Sequence, residues 1–389
     1  MKPAYKILLI LGLCHFLNDM IQAVIPAAYP MFKESMGLSF VQIGLVTLVL
    51  QIVSSVLQPF IGYYTDHHPK PFSQAVGMCF TLCGLFVLAF AADFMSLLLS
   101  VVLVGCGSAV FHPESSRVAQ MASGGRKGLA QSIFQVGGNG GSALGPLLCA
   151  LIVLPFGQHA ISWFAVAAFL AVGFLIFVGR WYRAHIGLIA QRAKDMGECH
   201  FSERTVRWAM AILVLMIFSK YFFNACMTNY YTFFLIERFG MSVQQSQLCL
   251  FGYLGAFALG TLVGGVAGDR YGRKYVILFS ILGSAPFTLA MPYLDKAGVI
   301  ATATLSAFII ASAFSAILVY ATDLKPGALG VISGVFFGLM FGLGGIGSAF
   351  FGWLADEKGI EYIFHVSSYL PLLGIVAVFL PNVKRHRKE

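Results

Sequence analysis

The sequence GCGSAVFHPESSR, residues 105–117, lies within an apolar stretch long enough to cross a bilayer, yet it contains a histidine, a glutamate and an arginine. A charged side chain at the centre of a bilayer costs about 2.5–3.5 kcal/mol, so charges in such a stretch indicate a polar cavity or an ion pathway. The next apolar stretch contains QSIFQVGGNGGSALGP, residues 131–146, in which Gln131, Gln135 and Asn139 form one polar stripe at helical spacing. Glycines at positions 137, 141 and 145 form a second stripe, which permits close helix packing. This pattern is typical of the middle of a transporter.

The composition indicates an integral membrane protein. Of the 389 residues, 58% are hydrophobic and 11% are charged, whereas about a quarter of the residues of a soluble protein are charged. The net charge of +9 is carried by segments between the apolar stretches, which argues against a nucleic-acid partner. Most of the eight cysteines lie in apolar stretches and are interpreted as small buried hydrophobes. Cys199 and His200 lack partners at metal-ligand spacing, so we expect no metal site and no cofactor besides a proton gradient.

Apolar runs of bilayer-spanning length recur twelve times, which predicts an all-α integral membrane protein with twelve transmembrane helices. The first six runs cover about 7–32, 39–65, 72–93, 95–121, 127–154 and 159–182. The second six cover about 208–236, 243–267, 275–294, 297–321, 327–354 and 360–381. We therefore predict a six-helix bundle over residues 1–183, a cytoplasmic linker over 184–206 and a second six-helix bundle over 207–389.

The two halves resemble each other in sequence. When residues 128–145 are aligned on residues 330–347, Phe134 coincides with Phe336 and Gly145 with Gly347. Parallel six-helix repeats are a transporter architecture with the substrate site near the midplane between the repeats. The sequence therefore favours two pseudo-repeats of one ancestral bundle.

The basic residues predict the orientation in the membrane. With both termini inside, about nineteen lysines and arginines fall in cytoplasmic segments and about four on the other side. We therefore expect a multi-pass membrane protein with both termini in the cytoplasm. Anionic lipid headgroups would be attracted to the same basic segments. We expect a monomer.

Two short loops carry a charged motif. The loop GGVAGDRYGRK, residues 264–274, and its counterpart GYYTDHHPK, residues 62–70, occupy equivalent places in the two halves. The first of these resembles the signature loop of the major facilitator superfamily, and this resemblance implies a gating role for its charges. The residues of the two loops that are assigned to the gating role are Asp66, Asp269, Arg270 and Arg273. Charge-assisted hydrogen bonds from such a loop would lock helix ends in one conformation and release them in the other; the alternative is charge that only sets the topology.

The segment GSALGP, residues 141–146, resembles a fifth-span motif of proton-coupled drug antiporters, although Cys149 and Ala150 replace the glycines that would follow. The resemblance implies a gating role for Gly141, Gly145 and Pro146. The alternative is helix packing with a proline kink that neighbouring groups satisfy.

Two acidic residues lie deep in the apolar runs, and they are candidates for proton coupling. His15 and Asp19 are one turn apart in the first run and therefore share a helix face. Glu114 lies in the fourth run, three residues from Arg117. An acid that takes up a proton when occluded and releases it when hydrated is what proton coupling requires. The alternative is a static ion pair with Arg117 or Lys220 that only holds helices together.

Arg117 and Lys220 are the cations that remain at membrane depth after the loop charges are counted, so we predict that they bind an anionic group. Further polar residues in the same apolar runs are predicted to contact the substrate: His15, His112, Gln135, Asn139, Asn224 and Tyr231. For the tyrosine the alternative is anchoring at the membrane interface.

Four separated motifs resemble the fosmidomycin resistance protein family over nearly the whole chain. They are HFLNDMIQ at 15–22, FHPESSRVA at 111–119, GLAQSIFQVGGN at 128–139 and FSKYF at 218–222. The resemblance implies an inner-membrane carrier that exports a small anionic phosphonate in exchange for protons. Uptake of an organic anion or sugar phosphate by symport stays open, because sequence alone does not give the direction of transport. An enzyme is not expected, since the apolar runs contain neither a Ser/His nor an HExxH constellation.

Overall fold

The computed structural model describes residues 3–38, 40–195, 201–325 and 328–382, and no β-strand occurs in these ranges. The first eight α-helices are α1 Tyr5–Ala27, α2 Tyr29–Met36, α3 Phe40–His67, α4 Ser73–Ala89, α5 Phe94–Ala122, α6 Lys127–Leu148, α7 Leu154–Phe156 and α8 Ala165–Asp195. The next eight are α9 Glu203–Phe239, α10 Val243–Tyr271, α11 Arg273–Leu282, α12 Ala285–Ala290, α13 Lys296–Ala311, α14 Ala313–Leu324, α15 Leu329–Lys358 and α16 Ile360–Ser368. A π-helical turn, Cys149–Val153, follows α6, and 3-10 segments precede α8 and follow α16.

Ten helical stretches of the described chain are long and apolar enough to cross a membrane. They are Tyr5–Ala27, Leu45–His67, Phe94–Ala122, Gln158–Gly187, Glu203–Tyr231, Leu248–Tyr271, Arg273–Tyr293, Lys296–Leu324, Leu329–Ala355 and Ile360–Phe379. Of the two remaining predicted spans, the third coincides with the shorter apolar helix α4 and the fifth with α6. The predicted all-α membrane fold is confirmed, and the count of twelve stays a prediction.

Some predicted spans are divided where the backbone cannot continue a regular α-helix. The ninth contains α11 and α12, and Pro286 occupies the first turn of α12. The twelfth continues from α16 into the 3-10 segment Leu370–Phe379, with Pro371 in its first turn. Proline lacks a backbone N–H and is therefore favoured at a helix start and disfavoured in its interior. Both prolines thus lie at the start of the segment that follows the break.

Side-chain caps determine where several helices begin. The Asp93 carboxylate accepts a hydrogen bond from the Ser96 backbone N–H at 2.8 Å, and the Ser96 hydroxyl accepts one from the Asp93 N–H at 3.2 Å. This reciprocal pair is a capping box for α5. The hydrogen bonds from Ser96 lower the pKa of the Asp93 carboxyl. Ser242 and Gln245 form the same arrangement at the start of α10.

Two compact units make up the described chain. Unit 1 comprises Met1–Arg126, Ile133–Arg192 and Leu329–Gly342, and unit 2 comprises Lys127–Ser132, Ala193–Ala328 and Leu343–Glu389. Each unit therefore includes a segment from the other sequence half: the first part of α15 lies in unit 1 and the start of α6 in unit 2. The predicted division into a bundle over residues 1–183, a linker over 184–206 and a bundle over 207–389 stays a prediction.

Glycines of α6 lie against the backbone of α1 within unit 1. A Cβ atom at Gly137 would collide with the carbonyl of Gly12, and one at Gly141 with the carbonyl of Phe16. A Cβ at Gly145 would lie 2.8 Å from the carbonyl oxygen of Met20. The glycine stripe of the sequence therefore marks the face of α6 that packs directly on α1.

We predict that Gly141→Ala destabilises the protein by about 1–3 kcal/mol, because the added methyl group forces α1 and α6 apart. Gly140→Ala is the matched control, since its Cβ would meet only the Phe16 ring at 3.4 Å, an ordinary contact. Thermal unfolding of both variants in detergent checks this. A Gly141→Ala midpoint equal to that of Gly140→Ala would contradict the backbone contact.

Candidate functional site

A buried cluster of two histidines and one aspartate lies in unit 1. His15 and Asp19 lie one turn apart on α1, and the His15 Nε2 is 3.2 Å from an Asp19 carboxylate oxygen. His112 reaches the same carboxylate from α5, with its Nε2 3.4 Å from the other oxygen. Both histidines are buried, whereas the Asp19 side chain keeps 16% of its surface exposed. We call these three residues the histidine–aspartate cluster.

Hydrogen bonds to the backbone fix the tautomers of both histidines. The Nδ1 of His15 lies 2.7 Å from the Phe134 carbonyl oxygen, and the Nδ1 of His112 lies 2.9 Å from the Ser108 carbonyl oxygen. A carbonyl only accepts hydrogen bonds, so each Nδ1 carries a hydrogen and each Nε2 faces Asp19. An unprotonated Nε2 would direct its lone pair at a carboxylate oxygen, which is repulsive. A proton on either Nε2 would convert its contact with Asp19 into a charge-assisted hydrogen bond.

Aromatic rings and a glycine shape the space around the cluster. The His15 ring stacks on Phe134 with 4.0 Å between centroids, and the His112 ring contacts Phe341 at 5.1 Å. Gly138 of α6 faces the cluster, because a Cβ there would collide with the His15 ring and lie 2.7 Å from Asp19 Oδ2. The donor atoms of the three cluster residues lie within 4.8 Å of one another. The sequence-based expectation that no metal is bound stays a prediction.

The second acid, Glu114, lies apart from the histidines in a network that we call the Asp66 gate, consisting of Asp66, Glu114 and Arg117. Glu114 is fully buried and lies 3.4 Å from Arg117 Nη1. The Arg117 Nη1 also donates to the Thr65 carbonyl at 2.5 Å, and its Nε lies 3.9 Å from Asp66. These contacts place Arg117 with the gate residues, and its predicted substrate contact stays a prediction.

Asp66 caps the start of α15. Its two carboxylate oxygens accept hydrogen bonds from the backbone N–H groups of Gly330 at 2.9 Å and Val331 at 3.0 Å. A helix start carries free N–H groups and a partial positive charge, so a carboxylate there is stabilised twice. Gly62 packs against Gly330 so closely that a Cβ on either would collide with the other backbone. The end of α3 is therefore joined to the start of α15.

Unit 2 repeats this arrangement in what we call the Asp269 gate, consisting of Asp269, Arg273, Asp323 and Lys127. Asp269 accepts hydrogen bonds from the N–H groups of Gly128 at 3.1 Å and Leu129 at 2.9 Å, at the start of α6. Arg273 bridges Asp269, at 3.5 Å, and Asp323. The Lys127 ammonium donates to Asp323 at 2.8 Å. No sequence pattern marks Asp323 or Lys127, because their contacts join helices that are distant in the chain.

Arg270 differs from the other charges of its loop. Its side chain is exposed, and its guanidinium lies over the Tyr271 ring at 5.3 Å. Among the ion pairs of the described residues, none includes Arg270, whereas Arg273 takes part in two. The gating role predicted for Arg270 stays a prediction.

Lys220 lies in an aromatic cage in unit 2. It is 1% exposed, and its ammonium lies 5.0 Å from the Phe257 ring centroid, 5.3 Å from that of Tyr221 and 5.6 Å from that of Phe314. Its ammonium donates to the Ala311 carbonyl at 3.1 Å, where α13 ends. No carboxylate pairs with Lys220 among the described residues. One carbonyl satisfies one of the three ammonium donors, and the predicted contact of Lys220 with the substrate stays a prediction.

The remaining predicted contact residues occupy different surroundings. In unit 1, Gln135 is buried with no partner for its carbonyl oxygen, and Asn139 is partly buried one turn further along α6. In unit 2, the Asn224 amide oxygen accepts a hydrogen bond from the Tyr253 hydroxyl at 3.1 Å. Tyr231 packs in the aromatic core beside Tyr253. The side chain of Pro146 lies outside the described residues.

Comparisons with known proteins connect this geometry to a family. A profile of the Major Facilitator Superfamily matches residues 11–235 and 213–389. The fosmidomycin resistance protein of Escherichia coli is 51% identical over 386 residues, which cover 99% of this chain and 95% of that protein. An uncharacterized MFS-type transporter of Bacillus subtilis, YfnC, is 42% identical over 387 residues, with 99% and 95% covered.

Solved structures agree with the fold. The fucose:proton symporter of Escherichia coli has a TM-score of 0.75 at 14% identity, covering 98% of this chain and 100% of that chain. The human organic anion transporter MFSD10 has a TM-score of 0.77 at 16% identity, with 97% and 100% covered. At such low identity these similarities support the fold alone.

We predict that Arg273→Gln destabilises the protein by about 1–3 kcal/mol, because two carboxylates lose their shared guanidinium. Arg270→Gln is the matched control from the same loop, and we expect it to unfold as the wild type does. Thermal unfolding in detergent measures both. Equal midpoints for the two variants would contradict the Asp269 gate.

Proposed function

Because the chain belongs to the Major Facilitator Superfamily and, within it, to the family of the fosmidomycin resistance protein, we propose that it exports a small anionic compound in exchange for protons. The 51% identity to the fosmidomycin resistance protein of Escherichia coli supports a phosphonate of the fosmidomycin type as the substrate. The excess of basic residues in one set of loops supports a location in the bacterial inner membrane with both termini in the cytoplasm.

The histidine–aspartate cluster is the observation that carries proton coupling. Its two Nε2 atoms lie 3.2 and 3.4 Å from the oxygens of one carboxylate. A proton at each contact therefore removes the repulsion between the nitrogen lone pair and the carboxylate oxygen. An imidazole nitrogen can accept and release a proton, so each contact can exist with or without one. Asp19 is partly exposed, which gives protons a way to enter and leave the cluster. We assign the coupling protons to this cluster, with Asp19 as the central acceptor.

Lys220 is our first candidate for the group that binds the anion. It offers a buried positive charge with unused donors, and Asn224 lies one turn further along α9. A phosphonate presents several oxygens that accept charge-assisted hydrogen bonds. Arg117 has its guanidinium engaged by Thr65 and Glu114, so we assign it to the gate.

The Asp66 and Asp269 gates would close the cytoplasmic side in alternating access. In each gate, an aspartate near the end of a helix from one sequence half accepts hydrogen bonds from the first N–H groups of a helix from the other half. Breaking both caps would release those helix ends, and this is the structural change that opening toward the cytoplasm requires.

We predict that an imposed proton gradient drives fosmidomycin in the direction opposite to the protons in proteoliposomes. In Asp19→Asn the gradient-driven flux should be at least about tenfold lower, because the cluster loses its proton acceptor. The variant should still exchange labelled for unlabelled substrate without a gradient. Asp93→Asn is the control, since asparagine also caps a helix.

Two outcomes would contradict parts of this proposal. Movement of substrate in the same direction as the protons would establish the symport alternative. Full gradient-driven flux in Asp19→Asn, with normal amounts of folded protein, would refute the coupling role of the cluster.

We predict that Lys220→Gln weakens fosmidomycin binding about 10- to 100-fold, the size expected when a charged hydrogen-bond donor is removed. Lys296→Gln, on an exposed lysine at the start of α13, is the control. Calorimetric titration of the purified variants in detergent measures the Kd. Wild-type affinity in Lys220→Gln would exclude the aromatic cage as the anion site.

A further inference from the structure

The two gates have different charge balances. In the Asp269 gate, the carboxylates of Asp269 and Asp323 are matched by the cations of Arg273 and Lys127. In the Asp66 gate, two carboxylates share the single guanidinium of Arg117. Over the described ranges, no second cation lies within ion-pairing distance of Asp66 or Glu114. The Asp66 gate therefore has one cation fewer than it has carboxylates.

The surroundings of Glu114 provide hydroxyl groups but no second cation among the described residues. Asp66 and Thr65 face it from α3, Ser73 from α4, Arg117 from α5 and Tyr182 from α8. Of these, only Arg117 is a cation, and the Ser73 hydroxyl is 3.4 Å from the carboxylate. Glu114 is fully buried. Two carboxylates that share one cation in such a place are strongly unfavourable, and a bound proton is the smallest change that removes the excess negative charge.

We propose that the Asp66 gate is a proton-binding site in its own right, with the proton on Glu114, and that this proton determines whether Asp66 caps α15. The inference rests on the proposed proton coupling and extends it from the histidine–aspartate cluster to the gate. The Asp269 gate needs no proton, so the two gates respond differently to pH.

The contacts give a physical route for this control. When Glu114 is protonated, Asp66 is the one carboxylate that forms an ion pair with Arg117, and the Asp66 carboxylate stays on the N–H groups of Gly330 and Val331. When the proton leaves to water, Glu114 competes for Arg117 and repels Asp66. The cap on α15 then weakens.

Hydrogen–deuterium exchange of the full-length protein in detergent tests this directly. Peptides that cover residues 328–334 and 127–132 report the caps on α15 and α6 in one sample. After correction for intrinsic exchange, we expect α15 amides to exchange about tenfold faster at about pH 8 than at about pH 6, the size of a lost helix cap. The α6 amides should show no such change and serve as the internal control.

Glu114→Gln should abolish the pH dependence at α15 and keep its amides protected at both pH values, because glutamine is uncharged. A pH-independent ratio of α15 to α6 exchange in the wild type would overturn the proposal, as would a Glu114→Gln variant that follows the wild type. If that variant does not fold, the wild-type series alone decides. The measurement uses neither substrate nor gradient, so intact pH-dependent protection without proton-driven flux would refute the proposed function and leave this gate standing.

Discussion

An uncompensated charge at membrane depth is the constraint on which the rest of this structure depends, because the hydrocarbon core provides no water to solvate it. The described helices meet this constraint with partners from other helices or from the next turn. Asp19 lies between two imidazoles, Glu114 contacts Arg117, and Lys220 is surrounded by aromatic rings beside a carbonyl group. The Asp19–His112 contact and the hydrogen bond from Lys220 to the Ala311 carbonyl join helices that are distant in the chain, so the charges organise packing as well as chemistry.

The gates apply the same physics at helix ends. In both, an aspartate accepts two backbone N–H groups at a helix start, where the partial positive charge of the helix favours a carboxylate. The source of the neighbouring cation differs. Arg273 comes from the loop of its own aspartate, whereas the equivalent first loop has Pro69 and two histidines, and Arg117 of α5 provides the guanidinium instead. Both halves of the pseudo-repeat therefore have an aspartate that caps a helix, but the cation beside that aspartate comes from a different element in each half.

Close backbone packing gives the histidine–aspartate cluster its geometry. Because α6 lies directly on α1 through its glycines, Phe134 can stack on His15 and offer its carbonyl to the same ring. Gly138 leaves the volume in which the imidazole and the carboxylate meet. A packing motif and a polar site are thus parts of one helix pair, and a change in either would disturb the other.

The membrane class, the helical fold and the polar residues at membrane depth follow from the amino-acid sequence, because hydrophobic length and the cost of buried charge act locally along the chain. The sequence also determines that His15 shares a face with Asp19 and Glu114 with Arg117, since helical spacing sets contacts one turn apart. Other contacts are visible only in the folded chain. His112 completes the cluster around Asp19, and Arg117 lies beside Asp66. Asp323 and Lys127 complete the Asp269 gate. Those contacts join residues on different helices, and their choice depends on how the helices pack, which no local periodicity encodes.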